Sequence, residues 1–282
     1  MSNLLRSNFS RLWKNKIFWY CVGGMLIYAV SYMLNVSQGI SPRATGAAHT
    51  LEDYYFQFLL YVGFFFAAVT SMFLGTEYSD GTIRNKLIIG HTRINVYLAN
   101  LIVSFVAGLL IMCVWFIGAL VGVPALGFFT FSPANLIGYF AFCVLLVAEY
   151  SAINTFIAML SSNKAITVMV SLALALGLIL CASVLYDVLE APETLNATKS
   201  TMSGITISGE AALVGETVPN PRYIGGARRF VLQTLMNVMP TGQSVSVALK
   251  NERPNIIMLS PTAVTLVLTA LGIVLFRKKD LK

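Results

Sequence analysis

One segment between two hydrophobic stretches carries charged side chains of both signs. It covers residues 77–93 and reads EYSDGTIRNKLIIGHTR. Asp80 is placed to cap a short helix on which Ile83 and Leu87 share one face, and Gly90 can end that helix in the left-handed conformation. A helix of about two turns is too short to be stable alone in water, so it needs a surface to pack against. The spacing fits a partner-binding helix and equally a solvated hairpin whose charges only set the membrane topology.

Glu149 is the second residue whose position suggests chemistry, because it lies near the middle of a hydrophobic stretch. A carboxylate at that depth in a membrane is costly and often faces a partner or a water-filled cavity. It can also be structural, protonated or hydrogen-bonded by Tyr150, Ser151 or Asn154 of the same stretch or by a neighbouring helix. We favour the structural role, since Ser151 and Asn154 make this stretch polar independently of Glu149.

Motifs for covalent catalysis and for nucleotide binding are absent from the sequence. It contains no GxxxxGK[ST] phosphate loop and no HExxH, CxxC or GxSxG pattern. His49 and His91 are expected on opposite sides of a membrane, where they cannot share a metal or catalytic site. The four cysteines lie tens of residues apart within hydrophobic stretches, which indicates neither a disulfide framework nor a zinc site. We therefore predict no catalytic, metal or cofactor site in this chain.

The elements that position these residues are predicted to be membrane-spanning helices. Of the 282 residues, 57% are hydrophobic and 11% are charged, whereas about 25% are charged in soluble domains. Charge-free stretches of about 20 residues predict spanning helices, because hydrocarbon offers the backbone no partner outside the helix. Six stretches, free of charge except for Glu149 in the fourth, predict an all-α membrane protein with a single domain over residues 1–282: residues 17–34, 56–74, 96–121, 135–160, 165–186 and 257–276.

The distribution of basic residues predicts the orientation of the chain. A net charge of +7 is compatible with nucleic acid or with a membrane surface as partner. Twelve lysines and arginines lie in the two termini and in the loops after spans two and four, whereas the short loops at 35–55 and 122–134 contain only Arg43. This asymmetry favours the lipid bilayer over nucleic acid and predicts that both termini are cytoplasmic in a plasma membrane.

Two further segments are predicted to lie outside the spans. Residues 1–16 form an interfacial amphipathic helix, or else only a charged flank that orients span one; the apolar residues Leu4, Leu5, Phe9, Leu12 and Trp13 lie opposite Arg6, Arg11 and Lys14. Residues 188–256 are the long external segment. Within it, Val231, Leu235 and Val238 predict a helix that lies against the outer ends of the spans and stops at Pro240.

The charged segment resembles the coupling helix of permease subunits of ABC-2 type (type V) ABC transporters. In that family a cytoplasmic loop after span two begins with Glu, continues through Gly-Thr to basic and aliphatic residues, and closes on an Arg that opens span three. The matching residues here are Glu77, Gly81, Thr82, Arg84, Leu87 and Arg93. The six spans, the amphipathic head, the external segment and the NVMPTGQ stretch at residues 237–243 extend the resemblance over the whole chain.

The chain departs from the family pattern at two places. His91-Thr92 stands where many relatives have Pro-Ser, and Asn100 stands where many have Lys. The resemblance implies that partner ATPase subunits bind ATP and Mg²⁺ and dock on the segment through its coupling residues. Glu77 and Arg84 are expected to pair with charges in the ATPase cleft, where Ile83 and Leu87 are buried. The full set of expected coupling residues is Glu77, Asp80, Gly81, Thr82, Ile83, Arg84, Leu87 and Arg93.

The resemblance also implies the assembly and the transported cargo. A second permease subunit, identical or related, is expected to complete a central cavity lined by spans two and five. The leading expectation is a bacterial exporter of amphipathic peptides or drugs, as in bacteriocin self-immunity and antibiotic efflux. Export of ions, lipids or glycans is the alternative cargo, and a non-transporting membrane sensor or scaffold is the rival class. A membrane-embedded enzyme is disfavoured, because the sequence lacks clustered histidines and paired intramembrane carboxylates.

Overall fold

The described part of this computed structural model covers residues 1–39, 50–161, 163–196, 217–250 and 258–279. Within it, six helices are long and apolar enough to cross a membrane, which confirms the predicted all-α membrane fold. They are α2 (Lys16–Gly39), the pair α3 (Leu51–Tyr55) and α4 (Phe58–Ser79), α6 (Arg93–Ala119) with its extension, α8 (Pro133–Leu160), α9 (Lys164–Glu190) and α12 (Leu259–Lys278). The extension of α6 is a 3-10 turn, Leu120–Gly122, followed by α7 (Val123–Leu126).

The spans differ in how far the chain itself buries them. At least half of the residues in the most apolar stretch of α3–α4, α6 and α8 are buried, against fewer than a quarter in α2, α9 and α12. These three outer helices expose large side chains such as Ile27, Leu180 and Leu266. Exposed apolar surface of this extent is expected only where lipid or another subunit covers it.

The second span is interrupted after α3, and side chains of its neighbours satisfy the backbone there. The Trp115 indole Nε1 donates to the Tyr55 carbonyl at 2.9 Å, and the Tyr55 hydroxyl donates to the Phe116 carbonyl at 3.1 Å. The buried Glu52 carboxylate accepts the amide N–H of Phe131 at 2.8 Å and that of Thr130. These contacts hold the interruption of the second span in place, against α6 on one side and the α7–α8 connection on the other.

One end of the bundle gathers helix α1 (Ser2–Lys14), helix α5 (Thr82–Ile88) and the last turn of α12; we call it the basic end. Helix α1 packs on α6 and buries Leu4, Asn8 and Leu12. The predicted helix at the head is confirmed. The prediction that Arg11 lies opposite its apolar face is wrong, because the guanidinium turns inward and pairs with Glu77.

The segment after α9 returns into the bundle. Two short antiparallel strands, β1 (Thr194–Asn196) and β2 (Thr217–Pro219), are followed by α10 (Gly226–Val238) and α11 (Pro240–Lys250). The rest of the predicted external segment, residues 197–216 and 251–256, lies outside the described residues. Pro240 ends the first helix as predicted but also begins α11, because proline fits the first turn of a helix.

The packing of α10 and α11 differs from the sequence prediction. The stripe of Val231, Leu235 and Val238 on α10 is exposed. Met236 is buried instead, and together with Leu232 it packs against α9 and α11. Helix α11 is deeply embedded: every residue from 240 to 248 is buried, and it packs on α4, α8 and α9. Its polar residues therefore lie inside the protein.

Candidate coupling site

The turn before α5 is made by Gly81 and not by the predicted Asp80 cap. Gly81 has φ +64°, a left-handed conformation that L side chains rarely adopt, and no side chain caps the helix. Asp80 ends α4, and its Oδ1 accepts a hydrogen bond from the Ser79 hydroxyl at 3.1 Å. The Thr82 hydroxyl donates to the Glu77 carbonyl at 3.0 Å. The capping role predicted for Asp80 is thus wrong, since one glycine lets α5 follow α4 directly.

The far end of α5 follows the sequence prediction. Gly90 has φ +98°, the left-handed position that often follows a helix. The His91 amide N–H reaches the Lys86 carbonyl at 3.1 Å, which closes the last turn. Thr92 then caps α6, because its hydroxyl oxygen accepts the Asn95 amide N–H at 3.3 Å. Thr92 thus caps the N-terminus of α6, a role that serine also performs well.

Glu77 is the centre of a buried polar cluster at the basic end. Its side chain is fully buried, and the Lys86 ammonium lies 2.6 Å from Oε1. The Asn100 amide donates to Oε2 at 2.8 Å. Asn8 completes the ring, because its amide donates to Asn100 Oδ1 at 2.7 Å and its own Oδ1 accepts from Lys86 at 2.8 Å. We call these four residues, together with Arg11, the Glu77 cluster.

The Glu77 cluster places two cations against one buried carboxylate. Arg11 is the second cation bound to Glu77, because its guanidinium forms an ion pair with the same carboxylate as Lys86 does. Burial lowers the pKa of Lys86, and attraction to Glu77 offsets part of that effect. Because Glu77 lies on α4, Lys86 on α5, Asn100 on α6 and the other two residues on α1, the cluster ties four helices together. The expectation that Glu77 faces an ATPase cleft is therefore wrong.

Other parts of the chain cover the apolar face of α5, which the sequence predicts to enter a partner. Ile83 is 2% exposed and packs with Leu4 of α1, Val96 of α6 and Phe276 of α12, while Leu87 packs at the edge of this group. The short helix thus obtains from its own bundle the surface that its length requires. This corrects the expected burial of Ile83 and Leu87 against the ATPase.

Arg93 holds the C-terminal end of the last span. Its guanidinium donates to the carbonyls of Phe276 at 3.1 Å and Arg277 at 3.0 Å, and also to that of Lys279. Carbonyls in the last turn of a helix lack intrahelical donors, so an arginine satisfies them well. Lys279 in turn donates to the Ser161 carbonyl at 2.9 Å, and burial lowers its pKa to about 8. Arg93 therefore contacts the chain's own backbone.

The outward side of α5 carries a different set of residues. Arg84, Asn85, Ile88 and Ile89 are exposed, at the i, i+1, i+4 and i+5 spacing of a single helical face. Ile88 is 76% and Ile89 77% exposed, although both are large apolar side chains. We call these four residues the outer face of α5. Of the expected coupling residues, Arg84 is the one that lies on it, and the isoleucine pair was missed although its spacing was readable.

Comparison with known families decides the class of protein. The sequence profile described as "ABC-2 family transporter protein" matches residues 4–185, which is more than half of the chain. The chain belongs to the ABC-2 transporter family. The match includes α1 from Leu4 onward, the outer face of α5 and every member of the Glu77 cluster. No curated protein matches the sequence significantly. An ABC-2 chain is the membrane permease of an ABC transporter, and family membership implies an ABC ATPase as partner.

The intramembrane residues of this ABC-2 permease form a second polar group. Glu149, Tyr150 and Asn154 of α8 are all buried. The Asn154 amide donates to the Tyr150 carbonyl at 2.9 Å, and the Tyr150 and Thr241 hydroxyls share a hydrogen bond of 3.1 Å. Of the two expected ways of holding Glu149, the residues of α8 itself do not provide one, because no α8 side chain donates to either carboxyl oxygen; the neighbouring helix α11 is the other. Gln243 of α11 is the polar side chain beside it.

Proposed function

We propose that this permease belongs to an ABC exporter and receives its ATPase on the outer face of α5. The observation that supports this is the exposed pair Ile88–Ile89 beside Arg84, at the end of the bundle that carries the basic residues. An exposed apolar patch with a polar rim is typical of protein interaction sites. The inner face of the same helix is packed against the chain, so α5 presents this patch on a fixed support.

The Glu77 cluster gives the docked ATPase a means of moving the spans. A push on α5 is transmitted through Lys86 to Glu77, in the last turn of α4, and through Asn8 and Asn100 to α1 and α6. Charged hydrogen bonds in a buried setting resist separation, because an unpaired partner would remain without water. The four helices are therefore expected to move together when the ATPase closes on ATP.

We further propose that the basic end is cytoplasmic in a bacterial plasma membrane and that a second permease subunit completes the transporter. The asymmetry of basic residues supports the orientation. The large apolar exposure of α2, α9 and α12 supports a partner subunit and lipid around the bundle. Spans two and five, α4 and α9, pack closely on each other, which suits a cavity wall.

Amphipathic peptides or drugs are the proposed cargo. Tyr28 lies against Tyr61 and Phe65, with ring centroids 5.4 and 6.1 Å away, and Phe64 beside them is 39% exposed. Partly exposed aromatic rings offer both an apolar surface and, in tyrosine, a hydroxyl for hydrogen bonding. Such a surface suits molecules that have an apolar and a polar side.

Transport in vesicles tests this function. The permease and its ATPase are reconstituted so that the ATPase faces outward, with a fluorescent cationic amphipathic peptide outside. We expect the peptide to accumulate in the lumen with ATP and not with a non-hydrolysable analogue. Parallel vesicles receive a labelled lipid or a monovalent ion. Movement of these without the peptide would reject the peptide cargo, and ATP-independent behaviour of all three would reject the exporter.

A further inference from the structure

The junction between α1 and α2 presents two tryptophans and two lysines on the surface of the basic end. Asn15 has an extended conformation, which ends α1 and directs the chain into α2. Trp13 is 49% and Trp19 47% exposed, and Lys14 and Lys16 beside them are exposed as well. We call Trp13, Lys14, Lys16 and Trp19 the elbow surface.

The two indole rings of the elbow surface support each other. The ring centroids of Trp13 and Trp19 lie 5.4 Å apart, and the buried Phe18 ring packs on both, with centroids 6.2 and 5.5 Å away. Trp19 Nε1 donates to the Trp13 carbonyl at 2.8 Å. Because this hydrogen bond satisfies the polar atom of the Trp19 ring within the chain, the ring can lie among lipids without an unpaired donor.

Helix α2 places the elbow surface at the edge of the bilayer. Beyond Trp19 the helix exposes further large side chains, among them Ile27, and only 22% of its most apolar stretch is buried. Lipid is therefore expected along this helix, and the indoles lie at its first residues. Tryptophan is enriched at such positions, where hydrocarbon meets the headgroups.

The lysines of the elbow surface lack counter-ions on their own helices. The first 51 residues contain no aspartate or glutamate, so neither α1 nor α2 supplies one. The Glu77 carboxylate at the same end of the bundle is fully buried and is bound by Arg11 and Lys86. An ammonium group provides three donors and attracts phosphate as a point charge. The charge of this surface thus complements an anion from outside the chain.

We propose that the elbow surface binds the headgroup of an anionic phospholipid. Lys14 and Lys16 contact the lipid phosphate, and the two indoles lie against the glycerol and the first methylene groups of its acyl chains. Basic residues next to a span are attracted to anionic lipids in this way. An acidic protein surface fits less well, because it would cover two indoles that suit the interface between headgroups and hydrocarbon.

The bound lipid supports the Glu77 cluster from outside. The same helix α1 that carries Trp13 and Lys14 on its surface brings Asn8 and Arg11 into the cluster. A lipid held at the elbow surface therefore favours the position in which α1 packs on the bundle. The site does not depend on the proposed export, because it concerns only α1 and the start of α2.

Quenching of tryptophan fluorescence by brominated lipids tests the proposal. The chain has three tryptophans, and the third, Trp115, is fully buried. The full chain is placed in nanodiscs of phosphatidylglycerol and phosphatidylcholine in equal amounts, with bromine near the glycerol end of the acyl chains of one lipid or the other. We expect phosphatidylglycerol to be enriched around the indoles by about fivefold or more, the effect of at least one lysine. Raising the salt concentration from about 0.05 M to about 1 M should remove most of this enrichment.

Paired substitutions assign the enrichment to the elbow surface. Lys14→Gln combined with Lys16→Gln should make the two lipids quench equally, whereas arginine at both positions should preserve the enrichment. Arg277→Gln combined with Lys278→Gln is the matched control. It removes two exposed cations from the last turn of α12, which packs near Leu4 at the other end of α1, and should leave the enrichment unchanged.

Three results would overturn the proposal. The first is equal quenching of the wild-type chain by the two lipids at low salt. The second is weak quenching by both lipids with strong quenching by acrylamide in the water, which would show that the indoles do not face the membrane. The third is an equal loss of enrichment in the α12 control, which would indicate general attraction to the basic end. The salt dependence of the wild-type chain decides the matter if the glutamine variant is not recovered folded.

Discussion

Glu77→Leu should lower the free energy of unfolding of the permease by about 3–5 kcal/mol, the cost of removing one partner from a buried ion pair. The substitution leaves Arg11 and Lys86 close together without a counter-ion, and Asn100 loses its acceptor. We expect α1 and α5 to detach while the six spans stay inserted. Thermal unfolding of the purified chain, with proteolysis at the basic end as a second readout, measures the effect.

Arg84→Leu is the matched control for this prediction. Arg84 is also a charged residue of the coupling segment, but it is exposed on α5. Surface substitutions of this kind usually change stability by less than about 0.5 kcal/mol. Equal stability of the two variants would show that Glu77 is not held by the cluster. Glu77→Arg, which brings three cations together, should be at least as destabilising as Glu77→Leu and should uncouple the ATPase through this damage.

Ile88→Asp combined with Ile89→Asp should weaken ATPase binding by about 100-fold or more. Hot-spot residues at the centre of an interface contribute about 2 kcal/mol or more each when truncated, and a carboxylate in such a position would also lose its hydration. Both side chains are more than three-quarters exposed, so the permease itself should fold as before. Co-purification of the ATPase from membranes and its cargo-dependent ATP hydrolysis are the measurements.

Phe128→Asp controls for a general effect of exposed charge. Phe128 is 80% exposed but lies in the connection between α7 and α8, at the end of the spans opposite α5. It should leave ATPase binding unchanged. Normal co-purification with the double isoleucine variant would exclude the outer face of α5 as the docking surface. If the Phe128 variant also loses ATPase binding, the assay detects a failure of membrane insertion and not the loss of a docking surface.

The spans could be predicted from the sequence because hydrocarbon imposes one simple rule on the backbone. Each predicted stretch lies within a helix or overlaps one by most of its length, and the helices extend further by a few polar residues at their ends. Glu77 is such a case: the sequence predicts it in a loop, but α4 continues to Ser79. A polar last turn carries no hydrophobic signal, so only the packed structure shows where the helix ends.

The partners of the charged residues could not be predicted, because they are distant in sequence. Arg11 and Glu77 are separated by 66 positions, and Arg93 contacts the end of α12 more than 180 positions later. The departure at Asn100 now has a physical reason. Its amide contacts Glu77, so the lysine that many relatives carry would add a third cation where Arg11 and Lys86 already lie.

The burial of α11 was also beyond sequence analysis. Its residues are moderately polar, with Thr241, Gln243, Ser244 and Ser246 all buried, and such a composition is typical of an exposed segment. Only the hydrogen-bonding partners inside the bundle, such as Tyr150, explain why it lies there. The Glu149 site was recognised from depth alone, whereas its neighbour Gln243 required the structure.

Photo-crosslinking in intact cells tests most directly whether the ATPase docks on the outer face of α5. A photo-reactive amino acid replaces Ile88 in one variant and Phe128 in another, since both side chains are highly exposed at opposite ends of the bundle. The account predicts that light joins the permease to the ATPase from position 88 and not from position 128, which also places the basic end in the cytoplasm. Crosslinking from position 128 alone, or from neither position in a complex that still hydrolyses ATP, would contradict it.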